Sequence, residues 1–328
     1  MKALRRSWQK NAWFTPLLLP LSYLFSWVIR IRRALYRHNF FKVFHANVPV
    51  VVVGNISVGG AGKTPLVAAI VRELQLFGWT PAIVSRGYKG SIKKKPEFID
   101  ENSNPRYVGD EPVMLASITD CPLAVCANRS AALALIEEVY PEVDVIVSDD
   151  GLQHYAMGRD IEIAILNRGS RFGNRYLLPA GPLREPITRL NQVDMIVCHQ
   201  DPGIGEFLAI LKPLCFRRVN DASVTLPLDA FHLYPVTALA GIAHPETFFS
   251  MINSRVKRVE AYIFDDHYAY NGREDAFKST LPIIMTAKDA VKCRLFAHDN
   301  MWYLEIEFEL DPEFTSDLLN RLEKISNG

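Results

Sequence analysis

Residues 51–65, VVVGNISVGGAGKTP, constrain the fold of this chain more than any other stretch of the sequence. The phosphate-loop pattern G-x-x-x-x-G-K-[ST] aligns on Gly62, Lys63 and Thr64, and it places Ser57 where the first glycine is expected. A strict pattern search would therefore miss this loop. The physical requirements are less strict: a strand, a turn whose backbone N–H groups point inward, a lysine, a hydroxyl group and the N-terminus of a helix.

The stretch contains all five of these parts. Residues 49–53 are a β-branched run typical of a buried strand, and Pro65 suits the first turn of a helix that extends to about Gly78. The alternative is a glycine-rich turn without a ligand, but it does not explain why the glycines, the lysine and the threonine coincide. The predicted phosphate loop consists of Ser57, Val58, Gly59, Gly60, Ala61, Gly62, Lys63, Thr64 and Pro65.

Beyond the loop, short apolar runs alternate with helical patterns. This alternation is typical of an α/β fold with a doubly wound, mostly parallel sheet, as in phosphate-loop NTPases. Sites in such sheets lie at the carboxyl ends of the strands, so the loops that follow the strands are expected to carry the chemistry. Further strands are predicted at residues 81–85, 123–126, 144–148, 161–166 and 194–198, and helices near residues 111–118 and 129–139.

The chain is expected to have three segments: a basic, apolar membrane-associated helix (residues 1–42), a nucleotide-binding domain (residues 43–216) and a smaller α/β domain (residues 217–328) that closes over the cleft. No repeat or low-complexity linker marks the boundary between the two domains. In the smaller domain, strands are predicted at residues 236–240, 259–264 and 281–286, and residues 302–309 alternate as an edge strand would.

Charge is distributed unevenly along the chain. Residues 1–72 contain 11 Lys and Arg and no Asp or Glu, although the net charge of the whole chain is only +1. The five cysteines include no C-x-x-C pair, which fits a reducing compartment and argues against a disulfide framework or a structural metal site. We expect an anionic membrane surface as the partner of the basic head, no nucleic-acid partner, and a monomer.

The longest apolar stretch, residues 11–29, lies within this basic head. A signal peptide is one alternative, but we find no convincing small-x-small cleavage site. A membrane span is another, but the stretch is near the lower length limit, contains Pro16 and Pro20, and has positive charge at both ends. An ordinary core helix is the third alternative.

A helical wheel of the following residues separates an apolar side from a basic side. Such a helix suits the interface of an anionic leaflet, so we favour peripheral or N-terminally anchored attachment over a span or a core helix. The apolar side carries Trp27, Val28, Ile31 and Leu35, and the basic side carries Arg30, Arg33 and Arg37.

Paired carboxylates end the strand predicted at residues 144–148. Adjacent acids are common in turns, but Asp149 and Asp150 stand at the mouth of a strand that follows a phosphate loop. We therefore predict that Thr64 and one of these two carboxylates bind Mg²⁺ or its water. Gln153 and His154 follow in the same rim.

Three further loops, residues 85–90, 108–112 and 178–186, combine polar side chains with glycine and proline. The last of them is too proline-rich for a helix interior or a central strand. Each alone is typical of an ordinary loop. Together they would surround one cleft with Arg86, Asp110, Arg129, Arg184 and Glu185.

Seven motifs identify a family when they are taken together. They are NISVGGAGKTP at 55–65, SRGY at 85–88, GDEP at 109–112, DDGLQH at 149–154, LPAGPLREP at 178–186, DH at 266–267 and TAKDAVK at 286–292. The chain resembles the tetraacyldisaccharide 4'-kinases, or lipid A 4'-kinases, from about Trp13 to Lys292. In that family Ser57 is the usual variation of the first glycine, whereas Ala287 stands where the resemblance leads us to expect Glu.

The resemblance implies ATP-dependent, Mg²⁺-assisted phosphorylation of the 4'-hydroxyl of a tetraacyldisaccharide 1-phosphate, a lipid A precursor, at the cytoplasmic face of a bacterial inner membrane. A lipid substrate agrees with the apolar, basic head, and an anionic sugar phosphate agrees with a rim of arginines. Lys63 is expected to contact the β- and γ-phosphates of ATP. The residues assigned to the lipid substrate are Arg86, Tyr88, Arg129, Gln153, His154, Arg184 and Glu185.

The base that takes the proton from the hydroxyl remains open among Asp110, Asp149, Asp150, His154 and His267. A carboxylate bound to Mg²⁺ is a poor base because the cation lowers its proton affinity, which weakens Asp149 and Asp150. We favour a pair in which His267 of the second domain orients Asp110, because such a pair assembles only when the cleft closes. The alternative is an N-cap aspartate and a surface histidine.

Two other functions remain compatible with a phosphate loop. A membrane-associated switch ATPase carries the loop K-G-G-x-G-K-T, but its signature lysine would fall on Val58, and it has no use for the loop at residues 178–186. A non-catalytic nucleotide-binding scaffold is the other. ATP turnover that depends on added lipid acceptor would distinguish a kinase from both.

Overall fold

The β-branched run before the phosphate loop forms the middle strand of a largely parallel sheet. A computed structural model of the chain describes Trp8 and residues 13–60, 62–88, 90, 95–166 and 172–327. Ala61 of the predicted phosphate loop lies outside these residues, as do Asn11 and the first basic residues of the head, Lys2, Arg5, Arg6 and Lys10.

The strands are named in chain order. They are β1 (Val50–Gly54), β2 (Pro81–Ser85), β3 (Glu97–Phe98), β4 (Leu123–Val125), β5 (Val145–Asp149), β6 (Ile161–Leu166), β7 (Met195–Cys198), β8 (Phe207–Arg218), β9 (Thr225–Leu226), β10 (Pro235–Ala240), β11 (Arg258–Ile263), β12 (Ile283–Thr286) and β13 (Met301–Leu310).

The α-helices are named in the same way. They are α1 (Thr15–Arg37), α2 (Lys63–Leu76), α3 (Pro105–Val108), α4 (Asp110–Ile118), α5 (Arg129–Val139), α6 (Pro245–Asn253), α7 (Ala287–Cys293) and α8 (Pro312–Ser326). Short 3₁₀ segments lie at Ile187–Gln192, Asp275–Lys278 and Arg294–Phe296.

Within the described residues, the strands form one sheet in the order β11-β10-β12-β13-β8-β7-β6-β1-β5-β2-β4-β3, with β9 paired to β8. The strands β7, β6, β1, β5, β2 and β4 run parallel to one another, and β3 is antiparallel to β4. The strands β11, β10, β12 and β13 are also parallel to one another. The long strand β8 pairs in parallel with β7 at its start and antiparallel with β13 along the rest. It therefore joins the first half of the sheet, which contains β1–β7, to the second half, which contains β9–β13. The predicted domain boundary at residue 216 lies inside β8 and stays a prediction.

Both faces of β1 are covered, which explains its continuous apolar sequence. Val51 and Val53 belong to the same buried cluster as Leu66 and Ile70 of α2. The opposite face packs with the cluster that contains α5. Burying one such branched side chain contributes about 1.5–3 kcal/mol, so this packing holds the phosphate loop, which links β1 to α2, on a rigid support.

The prediction that residues 302–309 form an edge strand is wrong, because β13 lies between β12 and β8 in the interior of the sheet. Its alternating glutamates suggested exposure, but they pair with basic side chains of neighbouring elements. Arg217 Nη2 lies 2.6 Å from Glu305 Oε2. The other two pairs are Arg72 with Glu307 and Lys212 with Glu309.

Helix α1 lies on the surface of the first half of the sheet. Ser22 Oγ donates to the carbonyl of Leu177 at 2.8 Å, and Arg33 donates to Gln192. The apolar residues that face outward are at least half exposed, unlike those of a core helix; they include Leu17, Leu21, Leu24, Trp27 and Val28. Among the described residues, no helix combines the length and the hydrophobicity needed to cross a membrane.

Candidate active site

A cleft of about 1880 Å³ lies between the two halves of the sheet, where β1, β2 and β5 end. Ser57 and the buried Asp110 lie beside it. The predicted site residues that line the cleft are Val58, Gly59, Gly60, Gly62, Lys63, Thr64, Pro65, Arg86, Tyr88, Arg129, Asp149, Asp150, Gln153, His154, Arg184, Glu185 and His267.

The phosphate loop ends at Gly62, which caps α2 in the left-handed region with φ of +78°. The positive φ favours glycine at this position, and a Cβ here would lie 2.6 Å from Cε1 of His199, so a larger residue would also displace that side chain. Lys63 and Thr64 then begin the helix and line the cleft, so the N-terminus of α2 lies at the cleft, where an anion site requires it.

The start of the loop explains why a serine replaces the first glycine. Ser57 pairs with Leu183 of the proline-rich loop, and the N–H of Val58 donates to the carbonyl of Pro182 at 2.8 Å. The N–H of Arg184 donates to the carbonyl of Ile56 at 2.7 Å. This short antiparallel pairing needs no positive φ at Ser57, and it fixes the proline-rich loop against the phosphate loop.

The two carboxylates at the end of β5 have different surroundings. Asp149 is 2% exposed, and its Oδ1 has no hydrogen-bond partner among the described atoms. Burial, together with the charges of Glu111 and Asp150, raises the pKa of Asp149 to about 7. A carboxylate buried next to other acids is stabilised by a proton or by a cation, and Mg²⁺ is the cation that suits carboxylate and hydroxyl oxygens beside phosphates.

Asp150 is already held by two cations. Burial alone would raise the pKa of Asp150, but Lys63 and Arg184 hold it well below its usual range. Lys63 Nζ lies 3.6 Å from Asp150 Oδ1, and Arg184 Nη1 lies 3.0 and 3.1 Å from the two carboxylate oxygens. Asp150 therefore orients Lys63 and Arg184 at the cleft.

Basic side chains surround the remainder of this rim. The buried Arg129 donates from Nη2 to the carbonyl of Asp149 at 2.6 Å, and Gln153 Nε2 donates to the carbonyl of Asn55 at 3.0 Å. Burial and the charges of nearby arginines, Arg129 first among them, lower the pKa of His154 to about 4. His154 is thus neutral near pH 7 in a positive environment that suits an anionic ligand.

Asp110 and His267 meet across the cleft although 157 positions separate them. Asp110 is the first residue of α4, and His267 follows β11 in the second half. His267 Nδ1 lies 2.8 Å from both carboxylate oxygens of Asp110. The ring of Tyr88 contacts His267 edge-on, with a centroid distance of 5.6 Å.

Glu185, which was predicted to bind substrate, is only 1% exposed, and its carboxylate contacts side chains inside the protein. The hydroxyl of Tyr155 donates to Glu185 Oε1 at 2.7 Å, and Arg189 Nε lies 3.2 Å from Oε2. These pairings also link Tyr155, which follows the carboxylate loop, to the proline-rich loop. A role for Glu185 in substrate binding stays a prediction.

Comparisons with known proteins agree with this geometry. The family model for tetraacyldisaccharide-1-P 4'-kinase matches residues 14–323. The chain belongs to the tetraacyldisaccharide 4'-kinase family. A tetraacyldisaccharide 4'-kinase of Aeromonas hydrophila is 44% identical over 97% of this chain and 96% of its own, and one of Pasteurella multocida is 41% identical over 97% and 98%.

A solved structure has the same architecture. It is a crystal structure of LpxK from Aquifex aeolicus in complex with ATP, with a TM-score of 0.79 and 27% identity over 94% of this chain and 99% of that one. Membership of the tetraacyldisaccharide 4'-kinase family supports a kinase over the switch ATPase and the non-catalytic scaffold that the phosphate loop alone leaves open.

The TAKDAVK motif of this tetraacyldisaccharide 4'-kinase family member serves two purposes. Thr286 caps α7 by accepting from the N–H of Asp289, and Asp289 accepts from the N–H of Gly241 at 2.9 Å. These bonds fix the start of the helix. Lys288 and Ala287 both line the cleft.

Several cleft residues were not expected to belong to the site. Glu111 follows Asp110 on α4, and Lys288 reaches it from the second half. A second-half loop also covers the phosphate loop, since a Cβ at Gly60 would lie 3.3 Å from that of Ala243. Glu111 and Lys288 could have been found from the sequence, because they lie in the motifs GDEP and TAKDAVK. Ala243 lies in none of the motifs, so no sequence signal pointed to it.

Proposed function

We propose that this family member transfers the γ-phosphate of ATP to the 4'-hydroxyl of a tetraacyldisaccharide 1-phosphate in lipid A biosynthesis. The observation that carries the proposal is that a phosphate loop, a carboxylate in need of a cation, and a carboxylate–histidine pair from opposite halves share one cleft. Each of these parts has a role in phosphoryl transfer: positioning of phosphate, charge neutralisation and orientation of the attacking hydroxyl.

ATP would bind with its β- and γ-phosphates at Lys63 and at the N-terminus of α2. Asp149 suits Mg²⁺ best, because its Oδ1 is buried and unpaired among the described atoms, whereas Asp150 already pairs with two cations. The hydroxyl of Thr64 is the second ligand that we assign to the metal. Mg²⁺ would supply neutralisation of charge on the phosphates when it is bound.

The acceptor would bind in the part of the cleft lined by Arg86, Arg129 and Arg184. These arginines give it a positive potential, and burial and arginine charges lower the pKa of His154. Arginine is the side chain best suited to bind a phosphate group, here the 1-phosphate of the disaccharide. The apolar side chains of α1 would lie along the acyl chains.

Asp110 would take the proton from the 4'-hydroxyl, and His267 would orient it. Burial alone would raise the pKa of Asp110, but the hydrogen bond from His267 and the charge of Lys288 lower it, so the carboxylate is ionised near neutral pH. A single Nδ1–H between two oxygens leaves lone pairs of the carboxylate available to the hydroxyl.

The direct test is transfer of labelled γ-phosphate from ATP to the disaccharide 1-phosphate in mixed micelles. We expect product only when the acceptor has a free 4'-hydroxyl, and no product with an acceptor already phosphorylated there. ATP hydrolysis that proceeds at the same rate without any lipid acceptor would contradict the proposal.

The two carboxylates at the end of β5, Asp149 and Asp150, are expected to affect the Mg²⁺ requirement differently. We expect Asp149→Asn to raise the Mg²⁺ concentration for half-maximal activity roughly tenfold or more, because one charged ligand contributes about 1.5–3 kcal/mol. Asp150→Asn is expected to raise the KM for ATP more than the Mg²⁺ requirement, since it releases Lys63. Titration of activity with Mg²⁺ at fixed ATP measures both, and the reverse order would assign the metal to Asp150.

Membrane attachment is proposed to occur at the cytoplasmic face of the inner membrane through α1. We expect the triple variant Arg30→Gln, Arg33→Gln, Arg37→Gln to bind anionic vesicles roughly 100-fold more weakly than wild type at low salt, at about 1 kcal/mol per charge. Vesicle sedimentation over a range of salt concentrations measures this.

A matched control for the vesicle experiment removes three basic residues far from α1. Lys257, Arg258 and Lys278, all in the second half, can be changed to glutamine together. If the α1 variant and this control bind vesicles equally well, α1 is only a helix packed on the surface.

A further inference from the structure

Lys288 is a mostly buried lysine whose ammonium group reaches across the cleft. It lies in the first turn of α7, and its side chain is only 14% exposed. Its Nζ is 3.0 Å from Glu111 Oε1, 3.3 Å from Asp266 Oδ1 and 3.2 Å from His267 Nε2. Lys288 therefore contacts the ring nitrogen of His267 that faces away from Asp110.

The donor and acceptor properties of these groups favour one tautomer of His267. A lysine ammonium has three N–H donors and no acceptor, so the polar atoms in contact with it act as acceptors. Glu111 and Asp266 supply two of them, and His267 Nε2 supplies the third by presenting its lone pair. The proton of the neutral ring then lies on Nδ1, which donates it to Asp110.

A purely structural explanation accounts for only part of this arrangement. A buried ammonium group needs carboxylate partners, and Glu111 and Asp266 satisfy that need. The bond from Lys288 to Glu111 also ties α7 of the second half to α4 of the first. Neither function requires contact with His267, and that contact is the one that bears on the proposed base.

We propose that Lys288 is a positioning residue for phosphoryl transfer, which holds His267 in the Nδ1–H tautomer directed at Asp110 and does so only when the two halves are together. This inference rests on the proposed function, because it assigns Lys288 to the group that orients the proposed base. In the alternative tautomer, Nδ1 would present a lone pair to the carboxylate of Asp110, and the pair would repel.

The charges around Asp110 come from three elements besides its own helix. The loop after β11 supplies His267 and Asp266, α7 supplies Lys288 and Lys292, and Tyr88 lies on the loop after β2. Glu111 is the neighbour on α4 itself. Because Lys288 lowers the pKa of Asp110, removal of its charge raises that pKa. A carboxylate must be ionised to act as a base. As the pH is lowered, a variant without the charge of Lys288 would therefore lose activity at a higher pH than wild type.

The experiment compares Lys288→Met, Lys288→Arg and wild type, with Lys278→Met as the control because Lys278 is an exposed lysine of the same half. We expect Lys288→Met to lower kcat roughly 10-fold to 100-fold, with ATP affinity within about threefold of wild type. The acidic limb of its kcat–pH profile should move to higher pH by about one unit, and Lys288→Arg should reverse most of that shift. The control should match wild type.

A second measurement does not depend on activity or on the stability of a variant. In the ¹⁵N-labelled wild-type protein, the ring nitrogens of His267, assigned by comparison with His267→Gln, should show a protonated Nδ1 and an unprotonated Nε2. A wild-type Nε2–H tautomer overturns the inference. So does a Lys288→Met variant that loses activity while its pH profile stays that of wild type, which would make Lys288 only a tie between the halves.

The two readouts separate this inference from the proposed function. If wild-type protein fails to phosphorylate the lipid acceptor, the proposed function fails, and the tautomer of His267 still decides what Lys288 does. If wild type is an active kinase but His267 carries its proton on Nε2, only the inference about Lys288 fails.

Discussion

Asp110→Asn is expected to lower kcat by roughly 100-fold to 10,000-fold with little change in ATP affinity, the range that general base catalysis contributes. The variant keeps the size of the side chain and its place at the start of α4, but it loses the charge that accepts the proton. His267→Ala should cause a comparable loss, because it removes the group that lies 2.8 Å from both oxygens of Asp110. Single-turnover transfer rates and binding of a fluorescent ATP analogue measure the two quantities separately.

The double variant Asp110→Asn, His267→Ala is expected to be little worse than the worse single variant, since residues that act as a unit give non-additive losses. Fully multiplicative losses would show that the two residues act separately. A large loss of ATP affinity in either single variant would move that residue to the nucleotide or metal site. Asp275→Asn, at an exposed carboxylate of the second half, is the matched control for a lost charge.

Lys63→Ala is expected to lower kcat/KM for ATP at least roughly 10-fold to 100-fold, because charged hydrogen bonds contribute about 1.5–3 kcal/mol. The variant removes the proposed contact with the β- and γ-phosphates, and it leaves Asp150 with Arg184 as its main cation. The phosphoryl transfer assay measures the loss, and thermal unfolding shows whether the variant is folded.

Two further variants make the result for Lys63 specific. Lys63→Arg keeps the charge but changes its shape and reach, so we expect it to recover only part of the activity. Lys278→Ala removes an exposed lysine of the second half and should behave as wild type. Near-normal turnover by a folded Lys63→Ala protein would exclude Lys63 from the phosphate site.

The elements around the phosphate loop were predictable because their signals are local. The strands at residues 50–54, 81–85, 145–149 and 161–166 and the helices α2, α4 and α5 begin and end within a few residues of their predicted bounds. A β-branched run, a glycine turn and an amphipathic helix each reflect neighbours in sequence. The predictions of these strands and helices are therefore confirmed.

Strand β8 shows where such signals fail. It spans Phe207–Arg218 and contains Pro213, a residue that argues against an interior strand. The structure accommodates Pro213 where the register with β13 shifts between Glu305 and Ile306. A bulge of this kind depends on the partner strand, so the length of β8 could not be predicted from its own residues.

The sequence by itself determined the phosphate loop, the paired carboxylates after β5 and the basic, apolar helix, because each depends on residues within one turn, strand or helix. The contact of Asp110 with His267 was already favoured by sequence analysis, but only the tertiary structure decided which other distant groups meet. These are Asp150 with Arg184, and Lys288 with Glu111, which lies 177 positions away. Such contacts depend on how two halves of a sheet pack against each other. Periodicity and spacing describe the surface that each element buries, and they carry no information about which other element covers it.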